Sequence, residues 1–263
     1  MFIFIVKKLI VILKMKKSIY RHIPNILTIL NLFSGCIAIV LSFEDYLLLA
    51  VYFIFIAAIL DYFDGFAARL LKTITETGKE LDSLADMVSF GIAPSVIMYH
   101  LLKMSLVYRN PSFSFESINF VEVIILFSAF LIAVFSGIRL AKFNLDKQQN
   151  NSFIGLPSPA NAILIASITF ILLSTENENF QKIILNIYVL LPLILFLSIL
   201  LIAKFPMFSL KFKNLSFKGN KIRYIFLGIS AILLILLQTI AIPIIVFFYI
   251  LLSAVNNWIF KIN

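Results

Sequence analysis

Residues 61–86 read DYFDGFAARLLKTITETGKELDSLAD. The positions that matter are Asp61, Asp64, Gly65, Ala68, Arg69, Gly78, Asp82 and Asp86, or D-x2-D-G-x2-A-R-x8-G-x3-D-x3-D. The flanking stretches 51–60 and 87–102 are almost continuously apolar. An ionised side chain in a bilayer-spanning helix costs about 2.5–3.5 kcal/mol on insertion scales and marks function by default. Four aspartates together repel one another unless cations bind between them. At about 100° per residue, Asp61, Asp64, Gly65, Ala68 and Arg69 share one helical face. A second helix beginning near Gly78 carries Gly78, Asp82 and Asp86 as an i, i+4, i+8 stripe. The short polar link Lys72–Thr77 makes the two helices antiparallel neighbours, so two acidic faces are expected to meet near one membrane surface. An oxygen-only, carboxylate-rich site suits a hard cation, Mg2+ or Mn2+. Two such ions about 3.5–4 Å apart can clamp a phosphate-containing substrate for in-line displacement.

The composition supports a membrane setting. Of the 263 residues 62% are hydrophobic and 13% charged, against roughly 45–50% and 25% in soluble domains. No polar stretch is long enough for a separate soluble domain. The net charge of +9 does not point to nucleic acid, because the basic residues sit at the ends of apolar segments rather than in one patch. The single Cys36 excludes an intramolecular disulfide and is expected to be a small, buried packing residue in a span. His22 and His100 have no partners at metal-ligand spacing.

Residues 1–22 mix apolar residues with Lys7, Lys8, Lys14, Lys16, Lys17 and Arg21. Charges follow the apolar run and no small-residue cleavage site does, so a basic interfacial helix is expected rather than a cleaved signal peptide. Met15 offers a second candidate start. Eight apolar segments follow, at about 24–43, 47–71, 82–103, 119–144, 156–174, 181–203, 222–240 and 242–260, each near the ~20 residues that span a bilayer. The fold class is therefore an all-α polytopic membrane protein of about eight transmembrane helices. Its organisation divides into a basic N-terminal segment (1–22), a catalytic core of six helices (23–203), and a basic loop with two C-terminal helices (204–263). Nineteen of the 22 basic residues fall on one side of this topology; only Lys103, Arg109 and Lys182 fall on the other. That asymmetry puts both termini, and the acidic ends of the second and third spans, in the cytoplasm.

Other polar residues gather around the same region. Pro24 opens the first span as a helix start, and Asn25, Thr28 and Asn31 form an i, i+3, i+6 row expected to face the acidic cavity. Phe90–Pro94 allows close packing or a kink beyond Asp86. Arg139, Lys142 and Asn144 end the fourth span, and Gly155-Leu156-Pro157-Ser158-Pro159 opens the fifth; this basic end suits a phosphate or a carboxylate.

The 61–86 pattern matches the signature of the CDP-alcohol phosphotransferases, membrane enzymes that move a phosphoalcohol from a CDP carrier onto an acceptor hydroxyl. Four further blocks resemble the bacterial phosphatidylserine synthases within that family: IPNILTILN (23–31), DSLADMVSFGIAPS (82–95), RLAKFN (139–144) and GLPSPA (155–160). Lys142 and Asn161 depart from the subfamily pattern, standing where an arginine and a small apolar residue are usual. The resemblance implies transfer of the phosphatidyl group from CDP-diacylglycerol to L-serine, giving phosphatidylserine and CMP, in a bacterial inner membrane. It implies two divalent cations held by Asp61, Asp64, Asp82 and Asp86, with Asp86 also the base on the serine hydroxyl. It implies CDP contacts from Gly65, Arg69 and Thr75, with Asn25 and Thr28 in the same cavity, and a homodimer. Arg139 or Lys142 is the expected anchor of the serine carboxylate. Two alternatives stay open on sequence: another acceptor, such as glycerol 3-phosphate or inositol phosphate, and a divalent-cation transporter. Against the transporter, Gly65, Arg69 and Gly78 have no task in a cation path.

Overall fold

A computed structural model describes residues 2–73, 75–145, 153–208, 216 and 220–260, with the backbone alone for 2–21, 153–154, 206 and 257–260. Lys147, Lys211, Lys213, Lys218 and Lys261 lie outside the described residues, as does most of the basic loop after Lys204. What is described is helical apart from one two-residue bridge. Helix α1 (Phe2–Phe43) and α2 (Leu47–Leu70) form an antiparallel pair, turned through Asp45 at φ 61°. The chain then runs through α3 (Glu76–Asp86), a π-helical stretch (Met87–Ile92) and α4 (Ala93–Arg109). Next come α5 (Phe120–Phe127), a 3-10 turn (Ser128–Phe130) and α6 (Leu131–Leu145). The remainder is β1 (Phe153–Ile154), α7 (Ser158–Ser174), α8 (Glu178–Ile184), α9 (Ile187–Ile202), β2 (Pro206–Met207), α10 (Lys221–Leu237) and α11 (Ala241–Phe260).

Five of these helical stretches are long and apolar enough to cross a membrane: 22–43, 47–70, 76–109, 120–145 and 221–256; the pair α8–α9, bent by 48°, makes a sixth. The expected count of eight is not reached on that measure, for two physical reasons. Helix α7 has 17 residues, about 25 Å at 1.5 Å per residue, short of the ~30 Å hydrocarbon core. The stretch 221–256 counts once although it doubles back. Gln238 has φ 50° and ψ −123°, and Phe226 of α10 stacks on Phe248 of α11 with ring centroids 6.0 Å apart. The α3–α4 stretch is the most enclosed and α10–α11 the least, so the chain's centre is the stretch that carries Asp82 and Asp86.

Packing is written in the helix faces. The buried side of α1 reads Pro24, Thr28, Asn31, Ser34, Gly35, Ala38, Ser42, a stripe of small and polar residues that lets backbones approach. A Cβ on Gly35 would lie 2.8 Å from the Ser89 Cα, which is why a glycine stands there. The Ser89 hydroxyl donates to the Asn31 carbonyl at 2.9 Å. Cys36, one residue round from Gly35, is exposed rather than buried as expected, because it points away from that stripe. The buried face of α2 reads Leu47, Ala50, Val51, Ile54, Ala57 and then Asp64, so the apolar stripe leads straight to the acid.

One local expectation is corrected. Pro24 does not start a helix; α1 runs through it unbroken, since a membrane helix tolerates one missing N–H donor. Past Asp86, where Phe90–Pro94 was expected to allow close packing or a kink, the helix turns π-helical over Met87–Ile92. The Ala93 N–H bonds the Val88 carbonyl, five residues back, widening the helix just before Pro94, which has no N–H to give.

Candidate active site

The site lies where α1, α2 and α3 meet. Helix α3 starts at Glu76, two residues ahead of the expected Gly78, because the Thr75 hydroxyl caps it by accepting the Gly78 N–H at 3.0 Å. The connection is short, with Lys72 at φ 52°, and it brings the two acidic faces together. Carboxylate oxygens of Asp61, Asp64 and Asp82 lie within 4.8 Å of one another. Asp64 is 5% exposed and accepts a hydrogen bond from Thr28 Oγ1 at 2.7 Å, which ties α1 to the cluster. Asp86 is not one of that trio. It sits one helical turn further along α3, with its carboxyl in side-chain hydrogen-bond reach of Asp61 and in the field of Asp82 and Asp64.

A cleft opens beside Asp64 and Asp82, and its walls sort into three groups. Pro24, Asn25 and Thr28 come from α1; Asp64, Gly65, Ala68 and Arg69 from α2; Thr75, Gly78, Lys79 and Asp82 from the start of α3, with Thr73 from the turn. Arg69 folds back over Gly65: a Cβ on Gly65 would lie 3.3 Å from Arg69 Nη1. A Cβ on Gly78 would lie 2.9 Å from Thr75 Oγ1 and 3.0 Å from Asn25 Oδ1, so this glycine lets α1 and α3 close at the mouth. Asn31, expected in the same cavity, is instead fully buried below it. Lys79 and Thr73 line the cleft without having been expected there. Lys79 was legible, since Thr75, Lys79, Asp82 and Asp86 follow i, i+3, i+4 steps on α3.

The basic end of α6 is divided. Lys142 is exposed. Arg139 is 9% exposed and its Nη1 donates to Ser158 Oγ at 3.2 Å, while its Nε has no hydrogen-bond partner among the described residues. Neither lines the cleft. Arg139 lies in the field of Asp86 and of Tyr249. Asn144, at the end of α6, donates from Nδ2 to Ser83 Oγ at 2.9 Å, fastening α6 to the helix that carries Asp82 and Asp86.

The donor set fits a hard divalent cation: three clustered carboxylates, oxygen only, in an otherwise apolar bundle. Comparison with known proteins agrees with that chemistry. The sequence model described as CDP-alcohol phosphatidyltransferase matches residues 21–200.

The chain belongs to the CDP-alcohol phosphatidyltransferase family.

Within the family, similar proteins include the CDP-diacylglycerol–serine O-phosphatidyltransferase of Bacillus subtilis, 34% identical over 150 residues, 57% of this chain and 76% of that protein. The protein of the same name from Helicobacter pylori is 29% identical over 237 residues, covering 80% of this chain and 93% of that one. The archaetidylserine synthase of Methanothermobacter thermautotrophicus is 32% identical over 154 residues, 58% of this chain and 59% of that protein. As a phosphatidyltransferase family member, the chain is a membrane enzyme, and the cation-transporter reading is set aside. Arg69 over Gly65 puts a guanidinium beside a bare backbone patch, donors of a kind that suit a diphosphate.

Proposed function

We propose that this enzyme transfers the phosphatidyl group of CDP-diacylglycerol to the hydroxyl of L-serine, forming phosphatidylserine and CMP. The observation that carries the reading is the clustered Asp61–Asp64–Asp82 trio, with Asp86 an electrostatic neighbour of both that trio and the buried Arg139. On this reading the diphosphate occupies the cleft, with Arg69 and Lys79 offering charge and Gly65 offering backbone. Thr75 and Asn25 bound the nucleotide side, and Thr28 holds Asp64 in place. The serine carboxylate pairs with Arg139, which leaves the serine hydroxyl beside Asp86. Asp86 accepts the hydroxyl proton as the serine oxygen attacks the lipid-linked phosphorus; the bond from that phosphorus to the CMP oxygen breaks, and CMP leaves in line. A positioned base contributes about 10²–10⁴ in rate. Mg2+ or Mn2+, two ions held by Asp61, Asp64 and Asp82 with Asp86 at the edge, would neutralise the diphosphate and the charge that develops on CMP. Lys142, exposed and away from the cleft, is left as a membrane-surface charge.

The basic residues support an orientation with the site and both termini in the cytoplasm of a bacterial inner membrane, where a CDP-linked lipid and a free amino acid meet. A homodimer remains part of the proposal. The test is release of CMP by purified enzyme given CDP-diacylglycerol, Mn2+ or Mg2+, and labelled acceptors. Serine-dependent release with labelled phosphatidylserine is expected; release that depends on glycerol 3-phosphate or inositol phosphate but not on serine would refute the acceptor.

A further inference from the structure

Arg139 is held by a structure that continues well past the matched residues 21–200. Its partner Ser158 opens α7, directly after the turn Gly155-Leu156-Pro157. Gly155 has φ 76°, and a Cβ there would lie 2.5 Å from the Leu201 carbonyl, so the turn is pressed against the end of α9. Three sets of backbone bonds fasten it. Gly155 N–H donates to the Phe205 carbonyl at 2.9 Å and Leu156 N–H to the Leu200 carbonyl at 2.9 Å, and Phe153–Ile154 pairs with Pro206–Met207. Residues 205–208 thus form a strap across the turn that presents Ser158.

The strap is itself tied to α11. Tyr249, 7% exposed, donates its hydroxyl to the Phe208 carbonyl at 2.9 Å. Its ring packs on Phe208 with centroids 4.9 Å apart and on Phe226 of α10 at 5.7 Å. Tyr249 is also an electrostatic neighbour of Arg139. A lipid-facing helix needs no tyrosine hydroxyl turned inward and no inward cluster of three aromatic rings.

We propose that Tyr249 is a positioning residue for the acceptor: by holding the 205–208 strap it fixes the Gly155–Ser158 turn, and through Ser158 the Arg139 guanidinium that receives the amino acid's carboxylate. The C-terminal hairpin is then a working part of the acceptor pocket and not only an added anchor. This rests on the reading of Arg139 given above.

The test compares steady-state kinetics of the full-length enzyme, in detergent and again in inverted membrane vesicles, with serine and CDP-diacylglycerol varied separately. Tyr249→Phe keeps the ring and removes one hydrogen bond, so the KM for serine is expected to rise about fivefold, with the KM for CDP-diacylglycerol and kcat changed less than twofold. Leu251→Ala, on the exposed face of the same helix, is expected to change neither. In a Ser158→Ala background, Tyr249→Phe adds nothing further to the serine KM if the two act along one chain of contacts. An unchanged serine KM in Tyr249→Phe, or equal rises in both KM values in detergent and in vesicles alike, overturns the proposal. Arg139→Gln separates the two levels. If it raises the serine KM while Tyr249→Phe does not, the strap inference falls alone; if it leaves the serine KM unchanged, the acceptor reading itself fails.

Discussion

Thr28 and Asp86 carry the sharpest residue-scale consequences. Thr28 Oγ1 donates to Asp64 at 2.7 Å from a position 3% exposed, and hydrogen bonds to charged groups contribute about 1.5–3 kcal/mol. Thr28→Val keeps the shape and removes the donor, so the Mn2+ concentration giving half-maximal activity is expected to rise at least about tenfold, read by metal titration of CMP release. Asp86→Asn removes the base while keeping the volume; CMP release is expected to fall by about 10²–10⁴, with an unchanged melting temperature in detergent. Unchanged turnover in that variant would take Asp86 out of the mechanism. Sequence made these acids visible because charge in an apolar run has no cheap structural explanation. It left Asn31 misplaced, since an i+3 step from Thr28 gives a shared helix face but not the depth at which a cavity ends. Cys36 was misread for a related reason: spanning a membrane does not say whether a residue faces protein or lipid.

At the level of elements, spacing was a reliable guide to which faces meet and a poor guide to how helices begin and bend. The meeting of α2 and α3 followed from the short polar link, and three of the four acids, Asp61, Asp64 and Asp82, cluster there while Asp86 lies one turn further along α3. The start at Glu76 depends on the Thr75 hydroxyl cap, and the π-helical stretch 87–92 depends on Pro94 removing a donor that the next turn has to route around. Neither changes hydrophobic periodicity; Phe90–Pro94 marked a place for a kink without giving its π-helical form. Close approach is testable where glycine permits it. Gly35→Ala places a Cβ 2.8 Å from the Ser89 Cα, a backbone atom that cannot swing aside, and overpacking of this kind costs about 1–3 kcal/mol. A lower melting temperature is expected, measured in detergent and with CDP-diacylglycerol present. A variant as stable as wild type would show that α1 does not approach the π-helical stretch this closely.

Across the whole molecule, the charge pattern and the acidic site make one joint statement about sidedness. Basic residues gather at the same ends of the spans as Asp61–Asp86, and the ends that carry Lys103 and Arg109 lie opposite. With Cys36 replaced by alanine, a cysteine at exposed Thr77 is expected to resist a membrane-impermeant thiol reagent in spheroplasts and to react in inverted vesicles. A cysteine at exposed Glu116 should do the reverse. The number of passes was less legible than their direction: α7 is apolar but short and enclosed, and the α10–α11 reversal turns on one residue, Gln238, whose left-handed φ no composition rule announces. The central claim is that carboxylates brought together by two neighbouring spans hold cations for transfer from a CDP-linked lipid. It is tested most directly by measuring Mn2+ binding to the chelator-stripped enzyme alongside serine-dependent CMP release, in wild type and in Asp64→Asn and Asp82→Asn. The account predicts that stripping abolishes turnover, that Mn2+ restores it at about two ions per chain, and that either substitution loses binding and turnover together. Full CMP release from the stripped enzyme, or wild-type Mn2+ binding in both variants, would contradict it.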